Sequence, residues 1–73
     1  MMPLTYANVG QINKVIKVKG QEKSKKFLES LGFVEGVDVT IVSYIAGNVI
    51  VNIKESRIAI SKEMANKIII GGN

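Results

Sequence analysis

The sequence predicts a mainly β fold with short helices, in which about five strands roll into a small barrel or sandwich. Three observations predict it. Half of the apolar residues fall in short β-branched runs, at positions 12 to 19, 37 to 45, 49 to 54 and 57 to 60. Glycine or polar residues separate those runs. Only the window around residues 21 to 31 switches to a helical period.

The elements follow in order. Pro3, Leu4 and Thr5 read as an irregular lead-in that Gly10 closes. The first strand, I-N-K-V-I-K-V-K from residue 12, places Ile16 and Val18 on one face and Val15 on the other, while Lys14 interrupts the apolar side. A bulge near Lys14 and Val15 would restore the alternation. After Gly20, Q-E-K-S-K-K-F-L-E-S-L carries apolar residues at 27, 28 and 31. That spacing predicts one short helix docking Phe27, Leu28 and Leu31 on the sheet, with Lys23, Lys26 and Ser30 opposite.

The run V-D-V-T-I-V-S-Y-I from residue 37 alternates most cleanly, with Val37, Val39, Ile41 and Ile45 inward and Tyr44 outward. Val49, Val51 and Ile53 form the inner set of the next strand. A three-residue loop, Ala46-Gly47-Asn48, keeps both apolar sets on one face, so the register predicts that loop with Asn48 left-handed. A turn at Glu55-Ser56 then pairs Ile53 with Ile58, and a strand over R-I-A-I buries Ile58 and Ile60. Ser61 is an N-cap candidate for a helical turn burying Met64 and Ala65. A last strand spans Ile68 to Ile70, and residues 71 to 73 form a frayed tail, which leaves one domain over residues 3 to 70.

Composition narrows the chemistry. The 73 residues include no Cys and no His, so disulfides, thiolate sites and ordinary zinc sites are excluded. Carboxylates, amides and carbonyls alone would hold a divalent transition metal weakly, so no tight metal site and no cofactor is expected. Proton-transfer catalysis lacks a paired acid and base, and no GxxxxGK[ST] loop is present, so an enzyme is not expected. No basic and apolar leader opens the chain and no apolar run approaches the ~20 residues of a membrane span, so a cytoplasmic protein is expected. Six lysines against one acid give residues 14 to 26 a net +5 of the chain's +4, the remainder being slightly acidic. That segment is either a solvated strand edge and helix face or a surface for an anionic partner.

The stretch L-G-F-V-E-G at residues 31 to 36 places two glycines four residues apart. Gly32 follows the helix, where a left-handed residue closes the last turn, and Leu28 and Phe33 occupy the positions that meet across a Schellman ending. Gly36 turns the chain into the strand at Val37, leaving Val34 and Glu35 at the loop's outer edge. This stretch resembles the helix end and loop of the FeoA family. Pro3-Leu4 followed by Gly10, the basic β segment, and Glu63-Met64-Ala65-Asn66-Lys67-Ile68 also resemble that family, in order and at matching spacing. Glu55 departs from it, at a turn where the family often has glycine.

The resemblance implies an SH3-like barrel with a helix inserted after its first strand. It also implies a non-enzymatic cytoplasmic accessory protein of ferrous iron uptake, whose partner is FeoB, the membrane transporter with a GTPase domain. The candidate partner surface is Gly32, Phe33, Val34, Glu35 and Gly36 with Lys23, Lys26 and Arg57. A small basic barrel that binds nucleic acid is the alternative, although only two Tyr and two Phe are available as stacking platforms. The same scarcity of aromatics, with no Trp, argues against a groove for proline-rich peptides.

Overall fold

The computed structural model describes residues 1–71. Its elements are β1 (Met2–Pro3), a 3₁₀ turn (Leu4–Tyr6), β2 (Ile12–Val18), α1 (Glu22–Ser30), β3 (Asp38–Ile45), β4 (Asn48–Ile53), β5 (Ser56–Ser61), α2 (Lys62–Ala65) and β6 (Ile68–Gly71). The strands form one antiparallel, six-stranded sheet in the order β1-β6-β2-β3-β4-β5. The expected mainly β architecture is therefore present, with α1 inserted after β2. The sixth strand, β1, lies in what the sequence reads as irregular. Two residues carry no period to recognise, and Pro3 is tolerated because β1 is an edge strand. Gly71, expected in the frayed tail, instead belongs to β6, and the rest of that expected tail, residues 72 and 73, lies outside the described residues.

The sheet wraps a core that includes Leu28 from α1, Phe33 from the following loop and Leu4 from the 3₁₀ turn, all fully buried. Around them stand Val39, Ile41, Val49, Val51 and the β6 isoleucines. The 3₁₀ turn touches β6 and α2, and α2 touches β4 and β5, so these two short elements bridge the two ends of the sheet. A hydrogen bond from the Thr5 hydroxyl to Asn66 Oδ1, 2.6 Å, fastens that bridge.

Two bulges set the strand faces, and both differ from the sequence reading. In β2 the register shifts between Val15 and Lys17, at Ile16, one position beyond the expected bulge. The inward residues are consequently Asn13, Val15 and Val18, while Ile16 is only half-buried. In the β3–β4 hairpin the loop has two residues, Ala46 and Gly47, not three: Ile45 pairs with Asn48 and Tyr44 with Val49. Ala46 (φ +48) and Gly47 (φ +83) are both left-handed, the backbone of a tight hairpin turn, whereas Asn48 lies in the strand. The parity that a third loop residue would have supplied comes instead from a bulge between Ile41 and Ser43. Beyond it the inward face passes from odd to even positions, so Ile45 points outward and 58% exposed, and Tyr44 shares a face with buried Val49.

The second hairpin turns on Lys54 and Glu55, with Ile53 opposite Ser56 and Ile58 opposite Val51 rather than Ile53. Lys54 takes the left-handed conformation (φ +56) at this turn. Ile60 is buried and Ile58 half-buried. Ser61 caps α2 as expected, its Oγ accepting from the Met64 N–H at 3.1 Å. Phe27 departs from expectation: Leu28 fills the sheet-facing side of α1, and Phe27, about 100° round the helix, stays 49% exposed.

Candidate functional site

The loop after α1 is built by its backbone. The Gly32 N–H donates to the Glu29 carbonyl at 3.0 Å and the Phe33 N–H to the Leu28 carbonyl at 3.1 Å, the paired bonds of a Schellman ending. Gly32 supplies the positive φ, +110, that this ending requires. Leu28 and Phe33 both bury completely, so the helix terminus is also a core anchor.

A second turn follows at once. The Val37 N–H donates to the Val34 carbonyl at 3.2 Å, and Gly36, third in that turn, takes φ +90. The turn is tied to β2 by two further bonds: Gly36 N–H to the Val15 carbonyl at 2.8 Å, and Val15 N–H to the Val37 carbonyl at 2.9 Å. Val34, Glu35 and Gly36 thus stand exposed on a loop held at both ends.

Under this loop lies a cleft of about 240 Å³. Its walls include Ile16 and Lys17 of β2, Lys25 and Glu29 of α1, and Val34 and Glu35 of the loop. The arrangement brings two cations and two carboxylates together around a small apolar floor. Among the described residues no three His, Cys, Asp or Glu side chains gather as a metal site. Among the described residues no helix is long and apolar enough to cross a membrane.

Of the residues proposed from sequence, Gly32 to Gly36 lie together here, with Phe33 wholly enclosed and offering no side-chain surface. Lys23 lines a different cleft with Ser24, Phe27 and Met64. Lys26 is exposed on α1, and Arg57 sits on β5, its Nε donating to Asn52 Oδ1 at 3.2 Å. Lys17, Lys25 and Glu29 are the additions that the structure makes to the loop. Lys25 and Glu29 were accessible to sequence reasoning as an i, i+4 pair running toward the helix end. Lys17 was not, because the bulge at Ile16 decides which lysine of β2 reaches the cleft. Lys14, from the same basic segment, is held by Asp38 of β3 in an exposed ion pair of 2.8 Å.

A family model for the FeoA domain matches residues 2–71. No curated protein matches the sequence. Among solved structures, an iron uptake regulatory protein (FeoA) superposes with a TM-score of 0.87 at 23% identity, over 96% of this chain and 93% of that one. FeoA of Stenotrophomonas maltophilia, solved with zinc, gives 0.85 at 21% identity over 97% of this chain and 91% of that one. It is described as a procaryotic SH3 domain protein and a candidate activating factor of bacterial ferrous iron transport. A manganese-dependent transcriptional repressor contains the same fold in part of its length, with a TM-score of 0.87 at 15% identity over 97% of this chain and 41% of that one. The SH3-like barrel with its helix after β2, matched by the family model from β1 to β6, makes this chain a member of the FeoA domain family.

Proposed function

We propose that this chain is a non-enzymatic cytoplasmic accessory protein of ferrous iron uptake that acts by contact with the cytosolic GTPase domain of a FeoB-type transporter. Family membership supplies the iron-uptake context. The observation that carries the contact is the loop of residues 32–36. It is fixed by four backbone hydrogen bonds to α1 and β2, namely those of Gly32, Phe33, Gly36 and Val15, yet presents Val34 and Glu35 to solvent beside Lys17 and Lys25. A loop already ordered loses little further conformational freedom on binding. GTP hydrolysis belongs to the partner in this reading, and the accessory chain contributes a rigid surface.

The test is a titration of isotope-labelled chain with the isolated GTPase domain of the FeoB-type transporter from the same genome. Saturable amide shifts should centre on Val34, Glu35 and Lys25, and reversing a charge with Glu35→Lys should change the affinity roughly tenfold. No response at about 500 μM domain, where even a weak complex would be populated, rejects the contact.

A further inference from the structure

The fold gathers both tyrosines of the chain at one place, although the sequence holds them 38 positions apart and too few aromatics to suggest a peptide groove. Between the 3₁₀ turn, the end of β3 and α2 runs an open groove of about 560 Å³, lined by Thr5, Tyr6, Tyr44, Lys62 and Asn66. Tyr6 is 72% exposed and Tyr44 41%. The bulge between Ile41 and Ser43 is what delivers Tyr44 here, by moving it to the inward face at the mouth of the barrel.

The groove is fixed rather than floppy. The Tyr44 hydroxyl donates to the Thr5 carbonyl at 3.3 Å, and Lys62 Nζ sits 5.7 Å from the Tyr44 ring centroid. Thr5 in turn donates to Asn66 Oδ1, which leaves the Asn66 NH₂ as a donor for a visitor. Two flat aromatic faces with a hydroxyl, an amide and an ammonium beside them match one backbone class well. A polyproline II segment offers flat rings for the tyrosines, and its carbonyls have no internal hydrogen bonds, so they need donors from the groove. A helix satisfies its own carbonyls, and a strand needs a sheet edge. Lys62 is the only ionisable group besides the tyrosines on the groove wall, so the complementary occupant carries a carboxylate. Single-stranded nucleic acid also stacks on tyrosines, but its one phosphate per base asks for more cations than the single lysine found here.

We propose that the Tyr6–Tyr44 groove docks an extended, proline-rich and acidic segment of a partner protein. The surface shares no residue with the loop cleft, so its fate is independent of the transporter contact proposed above.

The experiment is a nitrogen-15 spectrum titrated with a capped synthetic peptide in the order alanine, proline, proline, glutamate, proline, proline, alanine. The expected result is saturable shifts at the amides of Tyr6, Tyr44, Lys62 and Asn66. Tyr44→Ala should weaken binding by roughly tenfold. Tyr6→Ala should do so as well, without touching the Tyr44–Thr5 bond. Lys62→Glu should reverse the preference toward the same peptide with lysine in place of glutamate. No saturation by about 2 mM peptide overturns the proposal. So do shifts centred on Val34 and Glu35, tighter binding of oligothymidylate at the same amides, or concentration-dependent shifts of these amides in the chain alone, which would mark a second copy as the occupant.

Discussion

Gly32 at φ +110 and Gly36 at φ +90 hold a backbone conformation that L side chains avoid, yet neither is crowded. A Cβ on Gly36 would meet nothing within 4 Å, and one on Gly32 only the ends of Ile53 and Lys54 at 4.0 Å. The cost of a side chain there is conformational rather than steric. Gly32→Ala and Gly36→Ala should each destabilise by roughly 1 kcal/mol in urea unfolding. D-alanine placed at Gly32 by chemical synthesis should restore stability, because its mirror-image preference suits positive φ. Equal losses from both enantiomers would show that the site is steric after all. The Schellman ending was legible because every residue it uses, Leu28, Gly32 and Phe33, lies within six positions. Asn13 was not legible: nothing local marks a strand asparagine as buried. Its Nδ2 reaches only the Gln11 carbonyl, at 3.5 Å, and its Oδ1 has no partner. A buried amide so poorly satisfied contributes little, so Asn13→Val should hold the melting temperature or raise stability by about 1 kcal/mol.

Among the elements, the β3–β4 hairpin shows where sequence periodicity stops. Two apolar sets out of phase can be reconciled by a third loop residue or by a bulge within a strand, and residues 45 to 49 alone do not distinguish them. The bulge at Val42 resolves the phase inside β3, where Ser43 and Ile50 pair on one side of it and Ile41 and Val51 on the other. That choice lets the loop shrink to Ala46-Gly47, at the expense of a left-handed alanine. Asparagine tolerates that conformation far better, so Ala46→Asn should stabilise the hairpin by up to about 1 kcal/mol. A loss of stability would mean that the turn is not of this kind. The cap of α2, by contrast, was readable from Ser61 and the apolar residues that follow it. Ser61→Ala removes the acceptor of the Met64 N–H and should cost about 1 kcal/mol. Because α2 helps to hold Asn66 and Lys62 along the aromatic groove, the loss of this cap should also broaden the amide signals of those two residues.

The whole molecule depends on few large side chains, and this decides how its loop is to be tested. Phe33 is the largest fully buried side chain, and the other phenylalanine, Phe27, is half outside. A residue in the middle of the most recognisable loop thus serves the core, while its neighbours Val34 and Glu35 face solvent. Sequence reading grouped the three as one surface because their adjacency is visible and their burial is not; burial follows from the Leu28 carbonyl drawing the Phe33 N–H back over the helix end. Phe33→Ala should cost about 3–5 kcal/mol. For a domain this small the entire folding free energy is of order 5 kcal/mol. Phe33→Ala should therefore lose its cooperative melt and its dispersed amide spectrum, while Phe33→Leu keeps both at reduced stability. Val34→Ser and Glu35→Lys, on the exposed rim, should leave stability within about 0.5 kcal/mol. Loss of partner binding by Phe33→Ala consequently reports unfolding, whereas loss by Glu35→Lys with an unchanged melt reports the surface. If Phe33→Ala melts cooperatively close to the parent temperature, Phe33 is not the keystone of the core, and the division of the loop into a buried anchor and an exposed tip fails with it.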